Sequence, residues 1–166
     1  MLRLAILRHA KSSWDDPGLD DFDRPLNDRG RLAAPVMGQL LASLKFAPDL
    51  VLCSPAKRTR ETLQAIQPYF APPPPKIVFD DALYLASAGD LIDFVRKSAG
   101  PASRVLLIGH NPGLHAMATR LASTGDAGLI ARLKDKCPTA ALAVFTFEAP
   151  SGSGHLEAFI TPKDRA

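Results

Sequence analysis

Short apolar runs of strand length recur along the chain, and between them the apolar residues have helical spacing. The predicted strands are Leu2–Leu7, Leu50–Cys53, Ile77–Phe79, Val105–Ile108, Leu142–Phe147 and Leu156–Ile160. The predicted helical faces are formed by Leu32, Val36, Leu40, Leu41 and Leu44, by Thr62, Leu63, Ile66 and Tyr69, by Leu91, Ile92 and Val95, and by Leu114, Met117, Ala118 and Leu121. This alternation is typical of an α/β fold. It predicts a three-layer α/β/α, doubly wound architecture around a mixed, mostly parallel sheet.

The last two predicted strands are joined by a segment that is too short for a crossover helix. Because Ala149 to Gly154 is rich in Pro, Ser and Gly, we expect an antiparallel hairpin at one edge of the sheet. Pro35 is expected to kink the first helix or to mark its effective start. The run Pro72–Pro75 is interpreted as an extended connector rather than as a PxxP binding motif.

Length and composition are those of an ordinary globular protein. With 166 residues, of which 46% are hydrophobic and 22% charged, the chain is predicted to form one domain over residues 1–166. Its first apolar stretch is too short for a secretory signal or a membrane span, so we expect a cytoplasmic protein with no membrane partner. The net charge of +3 is carried by basic residues scattered among acidic ones, which argues against nucleic-acid binding. Cys53 and Cys137 lack CxxC spacing and are expected to be buried free thiols.

Polar and charged side chains follow three of the predicted strands directly. They are Arg8 and His9 after the first strand, Ser54 to Arg58 after the second, and Gly109 to Pro112 after the fourth. In open α/β sheets ligands bind beyond the carboxyl ends of the strands, where these residues are expected to meet. Two arginines can neutralise a phosphoryl dianion, and a neutral imidazole can attack its phosphorus. Helices after Ser54 and Asn111 would add N-terminal N–H groups, so the pattern predicts an anion pocket.

The same segments resemble the motifs of the histidine phosphatase superfamily. Residues 7–12, Leu-Arg-His-Ala-Lys-Ser, are similar to its RHG motif, although Ala10 stands where the family usually has glycine. Residues 54–62 are similar to its second arginine motif. Residues 109–113, Gly-His-Asn-Pro-Gly, match the second-histidine motif of the short phosphohistidine phosphatase branch, the SixA type. Residues 24–30 and 82–87 also resemble that branch.

The resemblance implies specific roles for four residues. His9 would be the phosphorylated nucleophile, Arg8 and Arg58 would bind the phosphoryl oxygens, and His110 would complete the pocket. Arg58 is preferred to Arg60 because the motif places its arginine four residues after the serine.

Further residues are candidates for substrate binding and for proton donation. Ser12 and Asn111 are predicted to contribute to substrate binding. Larger members of the family carry a general-acid Glu shortly before the middle helix, and the matching region here offers Asp80 and Asp81 as proton donors. The acidic loop that follows Trp14 offers further carboxylates able to reach over the pocket, namely Asp15, Asp16, Asp20 and Asp21.

These features favour a phosphohistidine phosphatase that acts through a covalent phosphohistidine on His9. Its substrate would be a phosphorylated protein or a small phosphorylated compound. The imidazole of phosphohistidine leaves readily, whereas an alkoxide needs a proton from a general acid. Because the sequence does not single out one general acid, it favours a phosphoramidate substrate. Two alternatives stay open: a small-molecule phosphomonoester phosphatase or mutase of the same superfamily, and a non-catalytic phosphate- or phosphoprotein-binding module. Because the histidines do not join cysteines or carboxylates at metal-ligand spacing, we expect no metal site and no cofactor.

Other polar side chains are given structural interpretations. His115 is expected to pack partly buried, and His155 to face solvent. Trp14 would line the pocket or cap the core. Arg24, Arg29 and Arg31 are interpreted as a solvated basic face.

Overall fold

The computed structural model describes residues 1–149 and 153–165, and these follow the predicted alternation of strands and helices. The strands are β1 (Leu2–Arg8), β2 (Leu50–Cys53), β3 (Lys76–Phe79), β4 (Arg104–Gly109), β5 (Ala122–Gly125), β6 (Leu142–Phe147) and β7 (Gly154–Ile160). The α-helices are α1 (Asp28–Ser43), α2 (Lys57–Ile66), α3 (Ala88–Ala99), α4 (Gly113–Leu121) and α5 (Ala127–Asp135). Short 3₁₀ turns lie at Asp21–Asp23, Gln67–Tyr69, Asp81–Leu83 and Pro162–Arg165.

The strands of the described residues form one mixed sheet in the order β3-β2-β4-β1-β6-β7-β5. Parallel pairs join β3 to β2, β2 to β4, β4 to β1, and β7 to β5. Strand β6 is antiparallel to both of its neighbours, β1 and β7. The α/β fold class with its mostly parallel mixed sheet is therefore confirmed.

Helices cover both faces of the sheet because the central strands are apolar on both sides. In β1, Leu4 and Ile6 pack in one cluster with residues of α3, α4 and α5. The alternating residues Ala5 and Leu7 pack on the other face with residues of α1 and α2. A strand buried on both faces lacks polar alternation, which is why these segments are continuous apolar runs in the sequence.

The antiparallel pairing of β6 with β7 agrees with the predicted hairpin, but this hairpin does not form the edge. Strand β5 pairs with β7 on its outer side. The sequence analysis missed β5 because its four residues, Ala-Ser-Thr-Gly, have no strand-like apolar pattern. It also missed α5, whose N-terminus is capped by the Asp126 side chain, which accepts a hydrogen bond from the Leu129 N–H at 3.0 Å. The predicted connection between β6 and β7 lies partly outside the described residues, at 150–152.

Helix α1 begins at Asp28, before Pro35, and buries Leu40 and Leu41 of the predicted face. The Asn27 side chain caps it by accepting a hydrogen bond from the Gly30 N–H at 2.9 Å, and the helix continues through Pro35. Leu32, predicted to be in the buried face, is exposed. The buried residues include the small side chain of Ala34 together with Met37, because helix α2 packs closely there. The predicted face is therefore confirmed at Leu40 and Leu41 and wrong at Leu32, and the small side chain of Ala34 belongs to the buried face because α2 packs closely against it.

Three further expectations can be compared with the structure. The Pro72–Pro75 run lies outside the helices and strands and connects α2 to β3. Cys53 and Cys137 are buried free thiols, as expected. Among the described residues, no helix combines the length and the apolar character that a membrane crossing requires.

The first residue of α4 packs directly against the chain segment that leads into α3. A Cβ atom added at Gly113 would overlap the carbonyl oxygen of Ala86. Because a backbone carbonyl cannot move aside as a flexible side chain can, this position requires glycine. The contact matters for the site, since Gly113 follows His110 by three residues.

We therefore expect Gly113→Ala to lower the free energy of unfolding by about 1–3 kcal/mol, the usual cost of overpacking. The matched control is Gly89→Ala in α3, where the nearest atom to an added Cβ is Arg120 Nη1 at 3.9 Å. The control is expected to leave stability unchanged or to raise it by up to about 1 kcal/mol, because alanine favours helix. Urea unfolding followed by circular dichroism measures both. Equal stability of the two variants would contradict the close packing at Gly113.

Candidate active site

Three parallel strands end side by side, and the residues that follow them form a cluster. In the parallel register Arg8 lies opposite Gly109, and Cys53 lies opposite Ile108. The backbone pairing continues one residue further, because the His9 N–H donates to the Gly109 carbonyl at 3.1 Å. As a result His9 and His110 emerge from neighbouring strands, with their ring centroids 5.3 Å apart.

The hydrogen bonds of His9 define which ring nitrogen carries the proton. Nδ1 lies 2.7 Å from the carbonyl oxygen of Ala10, which can only accept a hydrogen bond. Nδ1 is therefore the protonated nitrogen of the neutral ring, and Nε2 has a free lone pair. Nε2 accepts a hydrogen bond from Nε of Arg58 at 3.3 Å. His9 is only 5% exposed, so this lone pair lies in a nearly water-free pocket.

Arg58 reaches the cluster from the first turn of α2 and is 2% exposed. The buried face of α2 also carries Thr62, whose hydroxyl accepts a hydrogen bond from the Ala10 N–H at 3.0 Å and donates to the Arg58 carbonyl at 2.7 Å. This hydroxyl couples the segment after β1 to the helix that carries Arg58. The position of Arg58 relative to His9 is thus fixed by the backbone as well as by the side chains.

His110 and Arg8 complete the cluster, and each leaves one polar atom free. His110 is 3% exposed, and its Nε2 lies 2.7 Å from the Ser54 hydroxyl. Arg8 donates from Nη1 to the Cys137 carbonyl at 3.1 Å. In the part of the chain that the structure describes, Nδ1 of His110 and Nε of Arg8 are buried without a hydrogen-bond partner. Unpaired buried polar atoms are costly, so they indicate a place where a polar ligand binds.

Burial and positive charge keep both imidazoles neutral. Burial is the largest cause that lowers the pKa of His9 to about 3, and the nearby charges of Arg58 and Arg8 lower it further. Burial also lowers the pKa of His110 to about 3, again with contributions from Arg58 and from His9. At neutral pH His9 is therefore an uncharged base between two guanidinium groups. This combination can bind a phosphoryl group and attack its phosphorus.

The predicted substrate-binding residues lie near the cluster but serve other contacts. Ser12 is buried, and its hydroxyl accepts a hydrogen bond from Nη1 of Arg24 at 2.7 Å. Asn111 donates from Nδ2 to the Cys137 carbonyl at 2.8 Å, the same oxygen that Arg8 contacts. Asn111 therefore holds the carbonyl that orients Arg8. Both residues support the geometry of the cluster through a neighbour.

The two carboxylates predicted as proton donors are exposed. The Asp80 side chain caps the 3₁₀ turn that follows it, accepting a hydrogen bond from the Ala82 N–H at 2.8 Å. Asp81 belongs to that turn. In the described part of the chain neither carboxylate contacts His9, Arg58 or the other residues of the cluster.

The acidic loop instead brings Asp21 to the cluster. Its carboxylate accepts a hydrogen bond from Nη2 of Arg58 at 2.9 Å and another from the Tyr84 hydroxyl. Its backbone carbonyl accepts from Nη1 of Arg58 at 2.6 Å. Partial burial raises the pKa of Asp21, but the hydrogen bonds from Tyr84 and Arg58 outweigh this effect and lower it to about 2. Asp21 is therefore ionised at neutral pH.

Sequence reasoning missed Arg24 and Tyr84. Arg24, assigned to a solvated face, is buried, and its guanidinium bonds to Ser12 and forms an ion pair with Asp21 at 3.1 Å. Trp14 neither lines the pocket nor caps the core: it is 76% exposed and stacks on Arg24, with 3.5 Å between the ring centroid and Cζ. Tyr84 lies within the motif at residues 82–87, but the hydrophobic pattern of the sequence does not indicate that its side chain reaches the cluster.

The two remaining histidines lie in the surroundings that the sequence predicts. His115 is half-buried and contacts the Leu133 carbonyl at 2.6 Å through Nε2, and His155 is exposed, as expected. Residues 1–149 and 153–165 contain no group of three or more His, Cys, Asp or Glu side chains placed to hold a metal ion.

Comparison with known proteins identifies related sequences. Residues 4–90 match the histidine phosphatase superfamily, branch 1. An uncharacterised chloroplastic protein of Arabidopsis thaliana is 38% identical over 130 residues, which are 72% of this chain but only 58% of that longer protein. An uncharacterised protein of Mycobacterium tuberculosis is 38% identical over 140 residues, which are 83% of this chain and 85% of that protein.

Solved structures show the same fold. A structure from Agrobacterium tumefaciens, provisionally named as the phosphohistidine phosphatase SixA, is 34% identical, with a TM-score of 0.83 over 97% of this chain and 98% of that one. The protein histidine phosphatase SixA complexed with tungstate has a TM-score of 0.81 over 99% of this chain and 100% of that one. Its identity is 22%, so this second similarity concerns the fold.

The chain belongs to the histidine phosphatase superfamily, branch 1. It is a phosphatase, a hydrolase of phosphorylated substrates, with the α/β fold of the SixA structures.

The low pKa values of the two buried histidines predict a loss of stability in acid. The unfolded chain binds these protons below the ordinary pKa of 6.5, whereas the folded protein binds them only near a pKa of about 3. As the pH falls through this window, proton uptake favours the unfolded state. Between about pH 7 and about pH 4.5 the free energy of unfolding should decrease by at most ~1.4 kcal/mol per pH unit for each histidine.

Urea unfolding of the wild type and of a His9→Asn/His110→Asn double variant at both pH values measures this effect. The double variant is expected to have the flatter dependence on pH. Asp21 does not obscure the comparison, because its pKa is lowered from 3.8 and it titrates below this range. Identical pH dependence in the two proteins would show that the imidazoles are not held neutral.

Proposed function

We propose that the protein is a phosphohistidine phosphatase in which His9 is transiently phosphorylated. The observation that carries this proposal is the unprotonated Nε2 of His9, whose lone pair accepts a hydrogen bond from Arg58 Nε at 3.3 Å, while Nδ1 donates a hydrogen bond to the Ala10 carbonyl. A nucleophile needs this orientation, with the second nitrogen fixed by a hydrogen bond and the reactive one directed towards cations. The provisional name of the related Agrobacterium structure supports the same substrate class.

The reaction would proceed in two displacements. In the first, the lone pair of His9 Nε2 is released from its hydrogen bond with Arg58 Nε and forms a bond to phosphorus. The substrate P–N bond breaks, and its electron pair goes to the leaving imidazole. Arg8 and Arg58 would balance the charge on the phosphoryl oxygens, and His110 would contact the same group through its unpaired Nδ1. In the second, a water oxygen forms a bond to phosphorus, the Nε2–P bond of His9 breaks, and its electron pair returns to Nε2. Both protons of that water leave with phosphorus as dihydrogen phosphate.

The charge of the site favours phosphohistidine over a phosphate monoester. An alkoxide leaving group requires a proton from a general acid, whereas an imidazole leaves more readily. Of the acidic side chains in the described residues, Asp21 is the one in contact with Arg58, and its pKa is lowered to about 2, so it is a poor proton donor. The phosphoryl group of a protein side chain is a suitable substrate, because the Asp21 side chain that contacts Arg58 is 42% exposed and can be reached from the surface.

Replacement of Arg58 tests the pocket. Arg58→Ala is expected to lower kcat/KM for a phosphohistidine peptide about 10²–10³-fold, the typical loss when one positioned donor is removed. The matched control is Arg60→Ala two residues later, since Arg60 is exposed and bonds only to the Pro55 carbonyl in the described residues. The control should stay within about threefold of the wild type. Near-normal activity of Arg58→Ala would rule out this pocket.

Trapping the intermediate tests the nucleophile. When a phosphohistidine peptide carrying ³²P is mixed with enzyme and quenched in alkali, which preserves P–N bonds, the wild type should retain label on His9. His9→Ala should retain none and should show no turnover, while the control His155→Ala, altered at an exposed histidine, should behave as the wild type. Peptide mapping locates the label. Label with phosphate monoesters but not with phosphohistidine would favour a small-molecule phosphatase or mutase, and stoichiometric binding without label would favour a binding module.

A further inference from the structure

The mouth of the pocket is formed by a carboxylate and two aromatic rings. Phe22 and Tyr84 pack edge to face, with centroids 5.1 Å apart, and the Tyr84 ring packs against His110 at 5.3 Å. The Asp21 carboxylate accepts a hydrogen bond from the Tyr84 hydroxyl and is 42% exposed, whereas His9 and His110 form the buried floor. A leaving group must depart from the side opposite the attacking His9 nitrogen, and Asp21 is the exposed end of the hydrogen-bond chain that starts at that nitrogen and runs through Arg58.

Asp21 binds Arg58 without covering the edge that faces the nucleophile. The backbone carbonyl of Asp21 accepts a hydrogen bond from Nη1 of Arg58, and its carboxylate accepts one from Nη2. Nε of Arg58 donates to His9 instead. The guanidinium has five N–H groups, and these contacts use three of them. Two N–H groups stay available for phosphoryl oxygens. Asp21 therefore can stay in place, with its negative charge at the mouth, when a phosphoryl group occupies the floor.

We propose that Asp21, with the rings of Phe22 and Tyr84, forms a leaving-group subsite that selects a protonated imidazole over the oxygen leaving group of a phosphate monoester. This inference rests on the proposed phosphohistidine phosphatase function and assigns its specificity. The two rings offer aromatic surface for an imidazole to pack against. Oδ1 of Asp21 accepts from Arg24, and Oδ2 accepts from Arg58 and from the Tyr84 hydroxyl. The imidazole N–H would replace the Tyr84 hydroxyl on Oδ2, and this hydrogen bond is charge-assisted when the ring is cationic.

The chemistry of the leaving group explains why this proton matters. In phosphohistidine one ring nitrogen is bonded to phosphorus, and the other can carry a proton. If it does, cleavage of the P–N bond returns the electron pair to the ring and releases neutral imidazole. If it does not, cleavage releases an imidazolide anion, which is a much poorer leaving group. A carboxylate next to the distal N–H stabilises the protonated ring and therefore favours the first case.

The same carboxylate disfavours phosphate monoesters. A monoester needs a proton on its bridging oxygen, and an ionised Asp21 has none to donate. It also brings no positive charge to offset the carboxylate. Asp21 is thus a specificity-determining residue, and its charge should affect the two substrate classes differently.

The test compares Asp21→Asn with Asp23→Asn on two substrates, a phosphohistidine peptide and p-nitrophenyl phosphate, whose leaving group needs no proton and donates no N–H. Asp23 belongs to the same 3₁₀ turn and is exposed, so Asp23→Asn is the matched control. In Asp21→Asn the ratio of kcat/KM for phosphohistidine to that for p-nitrophenyl phosphate should fall about tenfold or more. The ratio should be unchanged in Asp23→Asn. Partial unfolding of a variant lowers both kcat/KM values by the same factor, because both substrates are hydrolysed by the same folded molecules. The ratio of the two values is therefore unaffected by it.

The pH profile supplies a second readout. In the wild type, the decline of phosphohistidine hydrolysis at high pH reports loss of the ring proton. In Asp21→Asn this decline should begin about one pH unit lower, because the neutral amide no longer stabilises the protonated ring, while the positive charges of Arg58 and Arg24, which face Asp21 and oppose ring protonation, are still present. The profile for p-nitrophenyl phosphate should show no such shift.

Three results would decide against the proposal in distinguishable ways. Equal losses on both substrates with an unshifted pH profile would mean that Asp21 only positions Arg58, and the subsite would be rejected. An unchanged ratio with full activity would reject it as well. Failure of the wild type to hydrolyse phosphohistidine, while His9 is labelled by monoesters, would instead refute the proposed function on which the inference rests.

Discussion

The parallel pairing of β1 with β4 is the constraint on which the site depends. Because Arg8 lies opposite Gly109 in this register, the two histidines that follow emerge at the same level of the sheet. A slip of one residue would turn His9 towards the opposite face, since side chains alternate along a strand. Leu7 and Ile108, the apolar residues just before the site, are completely buried and hold the register. The hydrophobic core therefore fixes the reactive geometry.

Burial then determines the charge state of the site. A histidine near the surface would titrate close to neutral pH, but His9 and His110 lie in the floor of the pocket beside guanidinium groups and stay neutral. The sheet edge thus combines uncharged bases with permanent cations. The cost is a set of buried polar atoms without partners in the described residues, on Arg8 and His110. An incoming oxyanion would supply hydrogen-bond partners for these atoms and so remove the cost of burying them unpaired.

The acidic loop shows how an irregular segment can be held in a defined place. Two backbone hydrogen bonds join its ends to the segment before α1, from Ser13 N–H to the Pro25 carbonyl at 2.8 Å and from Asn27 N–H to the Lys11 carbonyl at 3.0 Å. Arg24 lies inside the loop and bonds to Ser12, Ser13 and Asp21. Each such bond contributes only about 1 kcal/mol, but together they place Asp21 against Arg58. The mouth of the pocket depends on these polar contacts rather than on the core.

The sequence by itself determined the α/β class, six of the seven strands of the described sheet, and the site residues at the ends of three of them. Apolar runs and helical spacing indicate which faces are buried. Because the carboxyl ends of parallel strands lie at the same edge of a sheet, the sequence predicts that His9, Arg58 and His110 lie close together. Only the tertiary structure decided that Asp21 rather than Asp80 contacts the cluster, that Arg24 is buried, and that β5 covers the hairpin. These outcomes depend on distances between remote polar groups in irregular segments, and no periodic pattern along a chain encodes such distances.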